Sequence, residues 1–228
     1  MELMENEYKD IRLKPIRKVI AKNMHASLHE MAQLTINRTF NANRIMDARK
    51  AFKKSEDTVT QKITINDMIL YAVSRVLPRH PEMNAYFLDG FIRTFQVVNV
   101  GIAVDTPRGL LVPNIFHAES KSLQQISEEA KALITGAQTG NIDMEFLANG
   151  TFTVTNLGSM GIESFTPVNN PPQVGILGVC AVVNRMNDAG QMYPAMGLSL
   201  TFDHRAVDGA PAARFMKDLC DFLENFEF

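Results

Sequence analysis

The run QVGILGVCAVV, residues 173–183, is apolar from Val174 onward. An unbroken apolar stretch of strand length reads as a strand in the middle of a sheet, with no face left for water. Such a strand needs neighbours, and the chain supplies them. LTINRTF (34–40) reads as one. FQVVNVGIAVDT (95–106) and GLLVPNIF (109–116) read as a hairpin around the turn TPRG. Asn149-Gly150 marks a turn into TFTVTNLGS, where Phe152 and Val154 share one face and Thr151, Thr153 and Thr155 the other. After the DAG break at 188–190, LSLTFD alternates again.

Helical spacing covers most of the remainder. Ile16, Val19, Ile20, Met24 and Leu28 predict a helix from Pro15 to Met31, with Pro15 at its first position. ANRIMDARKAFKK predicts a second helix with Ile45, Met46, Ala48 and Phe52 inward. TINDMILYAVSRVLPRHP predicts a third, with Thr64 or Asn66 near its start and Pro78 near its end. SKSLQQISEEAKALITG is amphipathic through Leu123, Ile126, Ala130 and Leu133, and Gly136 suits its C-cap. APAARFMKDLCDFLENF closes the chain. Helices first, then strands interrupted by helices, predict the α+β class with a mixed, largely antiparallel sheet.

The 228 residues are 46% hydrophobic and 21% charged, which suits one large domain or two tightly packed small ones. A net charge of -2 gives no reason to expect nucleic acid or an anionic membrane as partner. Cys180 and Cys220 lie in apolar surroundings and in no metal-ligand spacing, so they read as buried free thiols of a reducing, cytoplasmic protein. No segment approaches a membrane span in length, and the N-terminus has no apolar targeting core.

Chemistry concentrates in LTFDHRAVDGAPAARF. Leu198, Leu200 and Phe202 form one strand face and Ser199, Thr201 and Asp203 the other, with His204 at the strand end and Asp208 just before Gly209. Local pattern leaves three accounts open. Asp208 caps a helix and His204 is a turn residue. The pair begins a metal site, although no further His or Cys lies nearby. Or His204 is a general base with a carboxylate beside it. A base needs a nucleophile, and the chain has no G-x-S-x-G elbow and no Cys in a polar motif. On that third account a substrate supplies the nucleophile, in direct group transfer between two bound molecules. An acyl carbon would then need an oxyanion donor, for which Thr155, Asn156 and the backbone before Gly158 are candidates, unless Thr155 is an ordinary strand threonine. Asp105 starts the TPRG turn. Arg17 and Lys18 stand in a first helical turn, where a cation opposes the dipole; a solvated face accounts for Lys18, and a carboxylate partner would suit Arg17 between its apolar neighbours. His25, His29, His80 and His117 are scattered and read as surface or packing residues; His25 and His29 stand at i, i+4 but lack a third ligand.

Six stretches in order resemble one family: RKVIAKNM, HPEMNAYF, NVGIAVDTPRGLLVPNI, GTFTVTNLGSMG, FTPVNNPPQVGILGV and FDHRAVDGAPAARF, spanning about Leu13 to Phe226. The chain resembles the catalytic domain of the dihydrolipoamide acyltransferases, the core of 2-oxo acid dehydrogenase complexes such as the pyruvate dehydrogenase complex. The resemblance implies a two-layer fold like that of chloramphenicol acetyltransferase, with the sheet covered by helices. It also implies a homotrimer whose active sites lie in channels between neighbours, inside a larger cubic or dodecahedral core. His204 would deprotonate the attacking thiol and Thr155 would donate its hydroxyl to the oxyanion. Asp208 would brace the histidine's loop through a salt bridge to Arg17. Arg49, Thr64, Asp105 and Asn156 would line the half of the channel that takes coenzyme A as a substrate. No metal is implied. The lipoyl group would arrive on a separate domain or chain, and the partners would be that lipoyl domain with decarboxylase and dihydrolipoamide dehydrogenase components.

By the same resemblance, residues 1–12 are an N-terminal extension and residues 13–228 the catalytic domain. Neither a lipoyl-lysine motif nor a peripheral-subunit-binding domain is expected in them, as in a catalytic domain cut from a longer chain or a free-standing form. Within RTFNANRIM, Phe40, Asn41 and Asn43 replace acidic residues common in relatives. Two alternatives stand beside this reading. An acetyltransferase of the same fold with a hydroxyl acceptor is disfavoured by GIAVDTPRGLLVPNI. An inactive core scaffold is disfavoured by His204, Thr155 and Asp208 all being present.

Overall fold

A computed structural model describes residues 7–227, so the first six residues of the expected N-terminal extension lie outside the described residues. The first half of the chain forms α1 (Pro15–Glu30), β1 (Gln33–Asn41), α2 (Asn43–Phe52), α3 (Thr58–Gln61), α4 (Ile65–Val76), β2 (Ala85–Leu88), β3 (Phe91–Thr94) and β4 (Val100–Ile102). The second half forms β5 (Asn114–Ile115), α5 (Leu123–Thr139), β6 (Phe152–Asn156), β7 (Gly175–Met186), β8 (Met192–Asp203) and α6 (Gly209–Glu224). Six strands make one sheet in the order β1-β8-β7-β6-β4-β5, and β2 and β3 make a separate hairpin.

The apolar run from Gly175 to Val183 forms most of β7, hydrogen-bonded to β8 antiparallel and to β6 parallel. β1 joins β8 antiparallel, β4 joins β6 parallel and β5 joins β4 antiparallel, so the sheet is mixed as the order of elements predicts. One face is apolar: Val154, Leu177, Val179, Leu198, Leu200 and Phe202 pack into a core with α2, α4, α5 and α6. The helices supply the partners their periodicity promises, among them Ile45 and Ala48, Met68 and Ile69, and Phe215 and Leu219.

The opposite face is polar and buried as well. Thr153, Ser199, Thr201 and Asp203 are each no more than 1% exposed. Buried hydroxyls need partners, and they find them: Thr201 bonds Thr35 at 2.7 Å and Thr153 donates to Gln173 at 2.6 Å. The irregular stretch between β6 and β7 lies over this face, with the Phe165 ring filling the space a Cβ on Gly178 would take.

Three sequence expectations are corrected by the backbone. Residues 95–99 are not strand, because side chains claim their polar groups. Asn84 donates to the carbonyls of Phe95 and Val97, and Glu119 accepts from the Val98 N–H. The expected hairpin is therefore reduced to β4, β5 and a bridge between Val104 and Leu111. α5 runs one turn past Gly136 and ends at Gly140, whose φ is +86°. The Gly136 carbonyl takes the N–H groups of both Gly140 and Asn141, so it closes the helix from inside. β2 and β3 turn at Asp89-Gly90, with Gly90 at φ +79°, an Asp-Gly signal that marks hairpins.

Asn149 and Gly150 make the predicted turn, Asn149 at φ +60°. Gly150 has a second reason to be glycine: a Cβ there would stand 1.9 Å from Oδ1 of Asn114. Asn114 is buried and donates to the carbonyls of Phe146 and Ala148, pinning the loop before β6. Gly150→Ala should therefore destabilise the protein by about 1–3 kcal/mol through overpacking. Denaturant unfolding in wild-type and Asn114→Ala backgrounds checks the cause. The cost should shrink when Asn114 is truncated, and equal costs in both backgrounds would refute the clash.

Candidate active site

β8 ends at Asp203, and the five residues between it and α6 carry the histidine. The Asp203 carboxylate is fully buried and forks onto Arg205, with Nε at 3.0 Å from both oxygens and Nη2 at 2.6 Å from Oδ2. It also accepts the N–H of Arg205 at 3.1 Å and of Ala32 at 3.3 Å. The Asp203 carbonyl takes the N–H groups of Ala206 and Val207, which turns the chain towards α6. The His204 N–H donates to the Ala32 carbonyl at 2.8 Å. Its ring tilts over Phe202 at 5.8 Å, is 44% exposed, and presents Nδ1 3.8 Å from Oδ1 of Asp208.

Asp208 occupies the N-cap position of α6 but makes no side-chain cap bond, and its carboxylate is 85% exposed. The expected Arg17–Asp208 salt bridge is not formed within the described residues of one chain. Arg17 lies in the first turn of α1, where its Nη2 is 3.7 Å from where a Cβ of Gly109 would be, in the TPRG turn. Within one chain, the ion pair at the histidine loop joins Asp203 and Arg205. Sequence reading placed Asp203 only as a polar strand position; its signal was a carboxylate directly before the histidine and an arginine directly after it.

Thr155 lies near the end of β6, half-buried and paired with Gly178. Beside it opens a cavity of about 870 Å³ whose lining includes Asn66, Asp105, Ile134, Asn156 and Ser159. Asn156 donates to Asn66 Oδ1 at 2.9 Å and accepts the Gly158 N–H at 2.8 Å, which fixes the loop after β6. That loop can sit where it does because Gly158 has no Cβ: one would be 2.5 Å from the Cys180 carbonyl, beside the irregularity in β7 between Val179 and Val182. Of the four residues expected around coenzyme A, Asp105 and Asn156 line this cavity. Thr64 is instead the N-cap of α4 in a capping box with Asp67, and Arg49 donates to the Gln61 carbonyl at 3.1 Å. Asn66 was read only as a helix-start residue, yet it shares the cavity and the bond to Asn156.

His204 and Thr155 are not brought together in one chain. Thr155 is level with Gly178, and Gly178 with Ser199, five residues before His204. At ~3.3 Å per residue that is roughly 16 Å along the strand, with two ladder spacings of ~4.8 Å across it.

A family model described as 2-oxoacid dehydrogenases acyltransferase (catalytic domain) matches residues 5–228. The chain belongs to this acyltransferase family. It is 40% identical to the dihydrolipoyllysine-residue acetyltransferase component of the acetoin cleaving system of Bacillus subtilis, over 97% of this chain and 56% of that protein. It is 35% identical to the corresponding component of the pyruvate dehydrogenase complex of Rickettsia conorii, over 96% of this chain and 54% of that one. The chain thus spans about half the length of the curated relatives it matches. Among solved structures, Azotobacter vinelandii dihydrolipoamide acetyltransferase superposes with a TM-score of 0.93 at 30% identity, covering 99% of this chain and 96% of that one. The cubic core of a pyruvate dehydrogenase multienzyme complex superposes at 0.92, with 30% identity and the same two coverages. Chloramphenicol acetyltransferase, at 0.61 and 16% identity over 94% of this chain and 98% of that one, shares the fold.

Among the described residues no group of three or more His, Cys, Asp or Glu is placed to hold a metal ion, and no helix is long and apolar enough to cross a membrane. Burial pushes the Cys180 thiol up, and it pushes Cys220 up to about 12. Thiols held protonated and out of solvent are poor nucleophiles. Neither should react with Ellman's reagent at pH 8 in the folded protein, and both should react on unfolding. Prompt labelling of the native protein would contradict their placement.

Proposed function

We propose that this chain transfers an acyl group between dihydrolipoamide and coenzyme A by direct attack of one thiol on the thioester of the other. The observation that carries the reading is His204: a solvent-accessible imidazole on a rigid strand end, with a carboxylate at 3.8 Å, in a member of the acyltransferase family. The A. vinelandii structure concerns the roles of a serine, a histidine and an asparagine in catalysis, with the asparagine four residues after the histidine. His204 and Asp208 have the same order and spacing.

Thiols with pKa ~8.5 are mostly protonated at neutral pH, so a positioned base has work to do. The ring nitrogen of His204 turned away from Asp208, Nε2, takes the thiol proton as sulfur attacks the acyl carbon. The thioester carbonyl becomes a tetrahedral oxyanion, which accepts a hydrogen bond from the Thr155 hydroxyl. Collapse breaks the original carbon–sulfur bond, and the departing thiolate recovers the proton from the imidazolium. Since His204 and the same chain's Thr155 are far apart, the reading takes Thr155 from a neighbouring copy. In the trimer that the family resemblance implies, the sites then lie between subunits, and such trimers can build into a larger core. Coenzyme A enters through the cavity at Asp105, Asn66 and Asn156, with Thr64 and Arg49 supporting its rim, and Arg17 meets Asp208 only in the assembly. The lipoyl group is brought by a separate domain or chain, which links the site to decarboxylase and dihydrolipoamide dehydrogenase components. A cytoplasmic setting fits the two unpaired thiols.

The deciding assay mixes acetyl-, propionyl- or branched-chain acyl-coenzyme A with free dihydrolipoamide and follows free coenzyme A and acyl-dihydrolipoamide by chromatography. Transfer supports the proposal; silence with an intact oligomer, or activity only with a hydroxyl acceptor, would overturn it. His204→Ala should lose about 10²–10⁴-fold in rate with the oligomer retained. Thr155→Val should raise the barrier by about 2–4 kcal/mol. Asp208→Asn should lose less than His204→Ala does, because Asp208 lies beside the ring nitrogen that does not take the thiol proton.

Shared sites also predict complementation. Co-assembled His204→Ala and Thr155→Val chains should recover part of the activity that neither variant has alone. No recovery in verified mixed oligomers would refute a site built from two chains.

A further inference from the structure

We infer that the ion pair between the buried Asp203 carboxylate and the partly exposed Arg205 guanidinium is the positioning element of His204; the inference rests on His204 being the base proposed above. The imidazole itself is held by little. It is 44% exposed, its charged neighbour Asp208 is 3.8 Å away and 85% exposed, and Asp208 makes no cap bond that would stiffen the loop. Within one chain, what sets the ring's place acts through the backbone.

That backbone is clamped on both sides of residue 204. Ala32, just before β1, donates to the Asp203 carboxylate and accepts from the His204 N–H. On the other side, the Arg205 N–H and guanidinium bind the same carboxylate through both of its oxygens. The guanidinium is backed by the Phe87 ring, 4.2 Å from Cζ to the ring centroid. Phe87 lies in β2, whose own N–H at Phe87 bonds the Pro172 carbonyl at 3.0 Å. One wholly buried carboxylate thus ties the strand end to β1 and to the β2 hairpin, with the histidine between the two ties. A two-pronged charged fork defines both distance and plane, which a lysine or an amide does not.

A reacting group misplaced by about 1 Å loses on the order of 10²-fold in rate. The test measures kcat and KM for both thiol substrates on the assembled protein, using wild type, His204→Ala, Arg205→Lys, Arg205→Ala and Asp203→Asn. Arg205→Lys keeps the charge that balances Asp203 and loses the fork. It should assemble normally and lose about 10²-fold in kcat with KM unchanged for both substrates. Arg205→Ala leaves a slot between Phe87 and Asp203, so millimolar guanidinium should restore part of its kcat where equal sodium chloride does not. General loosening of the fold would not respond to that ion. Should Arg205→Ala or Asp203→Asn fail to assemble, Arg205→Lys carries the test. A dead His204→Ala beside fully active Arg205→Lys and Asp203→Asn overturns the inference alone, as does a loss in Arg205→Lys that appears in KM. An inactive wild type or an undiminished His204→Ala overturns the reading of His204 and the inference with it.

Discussion

β8 is hydrogen-bonded along both edges, to β1 from Asp203 back to Ala195 and to β7 from Phe202 back to Met192. Side chains alternate between its faces, so a slip of one residue exchanges the two sets. Leu198, Leu200 and Phe202 would leave the helix-covered core, and Ser199, Thr201 and Asp203 would enter it. Three large apolar side chains at about 1.5–3 kcal/mol each rival the whole net stability of a domain. The register is therefore held by the core, and the chemistry inherits it. Phe202 is buried on one side, Asp203 on the other, and His204 is the first residue free to reach solvent.

The sheet separates packing from chemistry. Its apolar face meets the helices and would do so in many folds. Its polar face holds Thr155 near one end and Asp203, the residue before His204, at the other, with the buried hydroxyls between them given partners. A matched polar face costs little to bury and keeps its orientation, because each group has a partner in only one arrangement. The cavity at Asn66, Asp105 and Asn156 lies where β4 and β6 end and α4 begins. There, strand ends expose side chains that the sheet interior would have to pair.

Much of this was legible in the amino acids. The apolar run at 174–183, the 3.6-residue spacing of five helices, the Asn149-Gly150 turn and the strand-end position of His204 all follow from local pattern, and local pattern reports what neighbours in sequence can do. What it missed rests on partners far along the chain. Asp203 meets Ala32 across 171 positions, and Ser27 donates to the Asn169 carbonyl across 142. The alternating threonines before Asn156 read only as the face opposite Phe152 and Val154, since polarity alone does not reveal the segment folded over them. Residues 95–99 read as strand because Val97 and Val98 favour it, while Asn84 and Glu119 had already claimed the backbone groups a strand would use.

Asn114, Gly101 and Gly150 occupy one shared space. A Cβ on Gly101 would stand 3.0 Å from Asn114 Oδ1, and one on Gly150 closer still. Asn114 cannot shrink freely either, because its amide carries the carbonyls of Phe146 and Ala148. No single substitution at any of the three positions is cheap, and a path to a different arrangement must pass through at least one costly intermediate. Packing alone therefore restricts substitution in this corner, although the three residues sit in two of the stretches that look most functional. Invariance there would report a volume already filled, with no ligand involved.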